Sequence, residues 1–341
     1  MSVDKNKTTA TQTHINKLDE DKPDFSTSVV SLDDLLDEPI PEQVWLVEGH
    51  IPAAAFTIIS GQPSSYKTRF ALDLTLSVAQ NKPLYGKIPV KKSGVLIIDE
   101  ESGRRLLHRQ LREQGAIKGL PIRISSHSNF KLNDTSVGMV LLECRTYNLD
   151  TVIFDSLSHI HTANENDAPE MTRVLKHLQK LTDSGITVIV ITHNRKESQF
   201  TSYGGSEVRG SSAIFAAADA QLTLIPKEDG KLIVRQNKLR YAKVPKPFEL
   251  LVTDQENVFG FEYVGAAPDK RELIETAVLE LLAEHGKLNQ KEMLEKLKDA
   301  GIKSNDHNLP PILAALVTKG KIVPLSGIGN NKYYALARAT T

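Results

Sequence analysis

Five short runs in this chain are too apolar to be strands with one face in water. Phe56–Ser60, Gly94–Asp99, Thr151–Asp155, Thr187–Thr192 and Ala220–Ile225 are rich in Val and Ile. Stretches at helical spacing lie between them, such as Met171–Ser184. Strands buried on both faces occur in parallel sheets whose crossovers are helices, so the expectation is an α/β core with a mostly parallel sheet. Lys231–Arg235, Phe248–Val252 and Phe259–Val264 read as antiparallel strands that follow it, and Ala266-Ala267-Pro268 as a short linker.

On either side of this core, residues 43–265, the composition changes. Residues 1–42 hold ten acids against four lysines, a net of −6. They are expected to be a largely disordered tail with one capped helical turn at Ser31–Leu36. Residues 269–338 read as three helices, the first stopping at Gly286, the second Gln290–Ala300 and the third Pro310–Lys319. A hairpin, Ile322–Leu325 and Lys332–Leu336 around a Gly/Asn turn, completes a winged helix-turn-helix domain. Cys144 is the sole cysteine, so no intramolecular disulfide forms. With no apolar run of membrane-spanning length and a polar N-terminus, the expectation is a cytoplasmic protein without a membrane partner. The 42 basic and 42 acidic residues cancel only as a total, because residues 300–341 carry +4.

Gly61-Gln62-Pro63-Ser64-Ser65-Tyr66-Lys67-Thr68 lies between a buried strand and a helix. It matches the phosphate-binding loop pattern in every position but one, since Tyr66 stands where the second glycine belongs. Backbone N–H groups at a helix N-terminus favour phosphate, Lys67 would neutralise the β/γ oxygens of ATP, and Thr68 would ligate Mg2+. Gly61, Ser64, Ser65, Tyr66, Lys67 and Thr68 are therefore the candidate nucleotide contacts. If Tyr66 keeps the glycine's left-handed backbone, its strain is roughly 1 kcal/mol.

Two acidic strand ends compete for the metal-organising role. Val95–Glu100 has the hydrophobic-run-plus-Asp-Glu form, whereas Asp155 ends a later strand and is followed by Ser156. In the order used by RecA-type ATPases, Asp155 is the Mg2+-organising acid, and Glu100 or Glu101 orients the attacking water. His159, His161, Glu165 and Asp167 fall in a polar loop without the helix-locked spacing of a metal site.

Trp45–Gly49, the phosphate loop, Val95–Glu101 with Arg104-Arg105-Leu106, Val152–Ser156, Val190–Lys196 and Arg209-Gly210-Ser211-Ser212 occur in one order. Together they resemble the RepA-like branch of RecA-fold ATPases, AAA_25-type P-loop proteins that include hexameric plasmid replication helicases. The likeness covers about residues 45–264 and implies a RecA-like P-loop NTPase core. It selects Glu101 over Glu100 as the general base, His193 as the sensor of the γ-phosphate and Arg209 as an arginine finger reaching a neighbouring subunit's ATP. Lys238 and Arg240 resemble the trans-acting Lys-x-Arg of DnaB-like motors. Tyr66 departs from the family, as does Thr192, where relatives often carry a second histidine.

The resemblance further implies a ring, expected to be a hexamer, with ATP and Mg2+ as cofactors and DNA as partner. Ser158–Pro169 and Arg195–Arg209 would line a central pore and contact a single strand, with Tyr203 as a stacking ring. Ser304, Asn305, His307 and Asn308 would open a groove-reading third helix, with Lys332 on the wing. The function expected is a helicase or translocase in replication of a plasmid, phage or mobile element. The alternatives are an ATP-switched DNA-binding initiator that does not unwind, and an adaptor with a degenerate phosphate loop.

Overall fold

The computed structural model describes residues 29–40, 42–193, 212–300, 302, 304–326 and 332–337. The chain divides into two units at Gln43/Val44. In the first, the Ser31 side chain accepts the Asp34 N–H and caps the short helix α1 (Leu32–Asp37), none of whose residues is buried.

The second unit begins with a small antiparallel pair, β1 (Trp45–Val47) and β2 (Ile51–Pro52). The main elements follow as β3 (Phe56–Gly61), α2 (Lys67–Gln80), β4 (Val95–Asp99), α3 (Arg104–Glu113), β5 (Ile122–Ser126), α4 (Asp134–Tyr147) and β6 (Thr151–Asp155). After them come α5 (Ala168–Asp183), β7 (Thr187–His193), α6 (Ser212–Ala217), β8 (Ala220–Pro226), β9 (Lys231–Leu239), β10 (Phe248–Gln255) and β11 (Val258–Ala266).

One nine-stranded sheet runs in the order β11-β10-β9-β8-β3-β7-β6-β4-β5. From β8 to β5 neighbouring strands are parallel, and β9, β10 and β11 extend the sheet antiparallel beyond β8. Alternate residues of each central strand feed opposite faces, as the two-residue period requires. Ile58, Ile98, Phe154 and Val190 enter one core with Met171 and Leu178 of α5. Ile59, Ile97, Ile153 and Ile191 enter the other with Phe70 and Leu74 of α2. Because β7 and β6 lie between β3 and β4, the crossover after α2 skips two positions. The C-terminal ends of the strands then come level: Gly61 registers with His193, and Asp99 with Asp155.

Strand β5 is absent from the sequence expectation. Ile122-Arg123-Ile124-Ser125 carries two charged or polar residues in four and forms the sheet edge, where Arg123 and Ile124 are exposed. The expected linker shifts by one residue. Ala266 ends β11, and Ala267 is buried and donates its N–H to the Pro247 carbonyl at 2.7 Å.

Asp269 and Glu272 form a reciprocal capping box at the start of α7 (Lys270–His285). Next come β12 (Lys287–Asn289), α8 (Gln290–Asp299), α9 (Leu309–Thr318), β13 (Ile322–Ser326) and β14 (Lys332–Leu336), with the strands ordered β12-β14-β13. Ile274, Val278, Met293, Leu297, Leu313 and Leu316 make a separate core for these helices. β12 was not expected, since three residues are too few to show a period. Pro324 is tolerated because β13 is an edge strand. Lys303 and the hairpin turn residues 327–331 fall outside the described residues. Among the described residues no helix is long and apolar enough to cross a membrane.

Leu178 on α5 is fully buried under the sheet, whereas Lys176 beside it is exposed. Leu178→Ala is predicted to cost about 2–5 kcal/mol, read from urea midpoints, and Lys176→Ala less than about 0.5 kcal/mol. Equal effects would contradict this packing.

Candidate functional site

The loop after β3 turns tightly enough that Gly61 has no room for a side chain. A Cβ there would lie 2.3 Å from Ser65 Oγ and 2.9 Å from the Leu224 carbonyl. Ser64 (φ +62°) and Tyr66 (φ +64°) both adopt left-handed backbone. Tyr66 therefore keeps the conformation that a glycine takes in this pattern, at roughly 1 kcal/mol of strain. Its ring leaves the loop and packs on β11, 5.7 Å from the Phe259 ring and 6.4 Å from Phe261. Each such pair contributes about 0.5–1.5 kcal/mol, enough to offset the strain. Arg69 adds to this wall, with its guanidinium 4.4 Å from the Phe259 centroid and a salt bridge to Glu113.

Lys67 opens α2 and folds over the loop, its Nζ donating to the carbonyls of Gln62 (2.8 Å) and Gly61 (3.2 Å). Burial lowers its pKa, and the charges of Glu101 and Asp155 oppose that shift. The next residue, Thr68, donates its hydroxyl to Asp155 Oδ2 at 2.6 Å. Asp155 is almost wholly buried at the end of β6. Burial pushes its carboxyl up to about 7, the Thr68 bond pulls it down, and Glu101 and Asp99 push it up further. A hydroxyl and a carboxylate in contact at a strand end form an oxygen donor set suited to a hard cation, so the residues present fit Mg2+.

The three consecutive acids after β4 have three different surroundings. Asp99 is fully buried and accepts the N–H groups of Glu101, Ser102 and Gly103 and the Ser126 hydroxyl, which fixes the turn. Glu100 points away, accepting from Ser128 and Asn129. Burial works against its charge, but these bonds hold its pKa below the usual range. Glu101 turns toward β6 and β7: its Oε1 is 3.4 Å from His193 Nε2, and its Oε2 accepts from Ser156 Oγ at 2.5 Å.

Lys67, Thr68, Asp155, Glu101 and His193 thus converge at the carboxyl ends of parallel strands, where open α/β sheets present their binding crevice. Lys238 and Arg240 do not join them. Gln221 registers with Lys238 at the end of β8 opposite Leu224, the partner of Gly61. Lys238 Nζ donates to the Phe215 and Ala216 carbonyls at 2.9 Å, and Arg240 pairs with Asp219 at 3.0 Å. Arg209 and the loop residues Arg195 to Arg209 lie outside the described residues.

Of the polar loop after β6, Asp167 caps α5, His161 faces Glu165 at 3.8 Å, and His159 reaches back to Ser156 at 3.0 Å. Among the described residues no group of three His, Cys, Asp or Glu side chains is placed to hold a metal ion. Ser156 and His159 were missed as site residues. The sequence places Ser156 only at the end of the Val152–Ser156 motif, and His159 only in the Ser158–Pro169 segment expected to face DNA, without linking either to Glu101.

The model of the AAA_25 family, an AAA domain, matches residues 20–199. Among solved structures, one that comprises an ATPase domain is similar over 62% of this chain and 85% of its own, at 16% identity and a TM-score of 0.51. A DnaB-like replicative helicase, from a structure that also concerns its interactions with primase, is similar over 73% of this chain and 70% of its own. That likeness has 16% identity and a TM-score of 0.50. At these identities the structures bear on the fold, which is the RecA-like P-loop type. No curated protein matches.

Because burial raises Asp155 from an unfolded value near 4, its protonated form favours the folded, ligand-free state. This stability is fully present below the unfolded pKa and is lost as pH rises through about 7. Asp73, raised to about 6 by burial, acts in the same sense. The thermal stability of the ligand-free protein should therefore fall between about pH 4 and about pH 8, and Asp155→Asn should flatten the upper part of that decline. Identical profiles would disprove the assignment.

Proposed function

The chain belongs to the AAA_25 family of AAA domains, and from that premise we propose a Mg2+-dependent ATPase that assembles as a ring, expected to be hexameric, and moves along DNA as a RepA-like helicase. The convergence of Lys67, Thr68, Asp155, Glu101 and His193 on adjacent strand ends carries this proposal. Replication of a plasmid, phage or mobile element is the setting proposed for it.

Bound Mg2+ and ATP would supply the transferable phosphoryl group and the neutralisation of its charge. Thr68 and Asp155 would hold the metal, and Lys67 would exchange its two loop carbonyls for β- and γ-phosphate oxygens. Glu101 would orient the attacking water, while His193, against Glu101 Oε1, would report the presence of the γ-phosphate. Arg209 would arrive from a neighbouring subunit, as would Lys238 and Arg240, whose position at the far end of the sheet supports a role in trans. Ser158–Pro169 and Arg195–Arg209 are proposed to face DNA in the pore.

The C-terminal helices and hairpin are read as a winged helix-turn-helix making duplex contacts. A second proposal is an initiator that switches on ATP and binds duplex through this region, which packs around a core of its own, without unwinding it. The left-handed backbone of Tyr66 argues against a degenerate loop.

Lys67→Ala is expected to abolish ATP turnover. Arg209→Ala should lower the rate per subunit by about 10^3-fold or more in an assembled ring while ATP still binds. Wild-type turnover by Arg209→Ala in a ring, or a rate per subunit that stays constant across the assembly concentration, would refute the trans site. ATP-dependent opening of forked DNA separates the helicase from the initiator.

A further inference from the structure

The hydrogen bonds around Glu101 extend beyond the residues assigned to hydrolysis. Ser156 follows Asp155 directly and is fully buried. Its Oγ lies 2.5 Å from Glu101 Oε2 and 3.0 Å from His159 Nδ1. A serine hydroxyl carries one proton, and a carboxylate without a proton only accepts. The proton of Ser156 therefore goes to Glu101, which leaves the serine oxygen to accept from the imidazole. Ser158 Oγ stands farther off, 3.4 Å from both Ser156 Oγ and His159 Nδ1, so the shorter 3.0 Å contact favours a proton on His159 Nδ1, which itself lies 3.7 Å from Glu101 Oε2. The ring is held in place by its backbone: the His159 N–H donates to the Ser156 carbonyl at 3.0 Å, and Lys131 Nζ donates to the His159 carbonyl at 2.6 Å. Glu101 is thus engaged on both oxygens, Oε1 facing His193 and Oε2 tied through Ser156 to His159.

We propose that His159 is a positioning residue for Glu101, acting through the Ser156 hydroxyl in a donor chain His159 Nδ1–H to Ser156 Oγ–H to Glu101 Oε2. This rests on Glu101 being the group that orients the attacking water. An exposed glutamate side chain has several rotamers of similar energy, and only one of them aims a water at the γ-phosphate. A hydroxyl fixed by a buried serine, itself oriented by an imidazole, selects that rotamer before the substrate arrives. A displacement of about 1 Å at such a group can cost about 10^2-fold in rate.

The test combines steady-state kinetics with a measurement that needs no turnover. His159→Ala and Ser156→Ala should each lower kcat by about 10- to 100-fold, with KM for ATP within about twofold of wild type. His159→Asn places an amide N–H where Nδ1 stands and should restore most of the lost rate. His159→Gln, whose amide reaches the Nε2 position, should not. Combining Ser156→Ala with His159→Ala should cost no more than the worse single change, because the two act as one chain. Independent multiplicative losses, or a His159→Ala kcat within twofold of wild type, would overturn the proposal.

In the ligand-free wild-type protein, nitrogen-15 NMR of the histidine rings, assigned by the signal lost in His159→Asn, should find the His159 proton on Nδ1. It should move to Nε2 in Ser156→Ala. A wild-type Nδ1 that carries no proton overturns the proposal whatever the kinetics. A wild-type protein that binds but never hydrolyses ATP would defeat the ATPase proposal, and the tautomer would still decide whether the chain exists.

Discussion

A parallel sheet covered on both faces leaves only its strand ends for chemistry. Along β3, β4, β6 and β7 most side chains enter one of two apolar cores, and the charged groups stand where the strands emerge. Gly61, Asp99, Asp155 and His193 all occupy that rim. The bond between Thr68 and Asp155 ties the first turn of α2 to the end of β6 across the intervening β7. It holds the phosphate loop against the end of β6, next to Ser156 and so to Glu101.

The same dryness sets the electrostatics. Asp155 is held at about 7 because so little water reaches it, and a cation beside it would reverse that shift by favouring the ionised carboxylate. Under the proposed Mg2+ site, metal binding and deprotonation of Asp155 would be one linked event, with the Thr68 hydroxyl 2.6 Å away to share the ion. Glu101, partly exposed, owes its placement to hydrogen bonds and not to burial. For this reason its neighbours Ser156, His159 and His193 matter more to it than the hydrophobic core does.

Much of this was legible in the chain because it follows from strong, local signals. Buried strands announce themselves as unbroken Val/Ile runs, and all five were placed within a residue or two. β5 was invisible because an edge strand with one wet face has too weak a period in five residues. The phosphate loop was readable residue by residue, including the backbone of Tyr66, but the destination of the Tyr66 ring was not. Phe259 and Phe261 are nearly two hundred residues away in sequence, and only the closure of the sheet brings them over α2. The choice between Glu100 and Glu101 required the resemblance, since adjacent acids differ only in which way a turn faces them. Asp99 decides that turn by taking three backbone N–H groups. The His159 contact was hidden for the opposite reason: grouped by sequence with His161, Glu165 and Asp167, its ring turns back to Ser156 and Glu101.

Lys238 lies at the opposite end of the sheet from Gly61, and under the proposed role in trans it would serve a neighbour's nucleotide. Its ammonium is satisfied within its own chain by two carbonyls at the end of α6, and burial, then the charge of Arg240, lowers its pKa. Reaching a neighbour's ATP requires giving up those two neutral acceptors. Hydrogen bonds to an ionised phosphate are roughly twice as strong as those to a neutral carbonyl. The exchange is therefore favourable only where the phosphate is itself partly dehydrated, inside a closed interface. Arg240 faces a harder trade, since its present partner, Asp219, is already a carboxylate and also accepts the Phe56 N–H at the start of β3. Of the two, Lys238 is the one whose release costs the fold less.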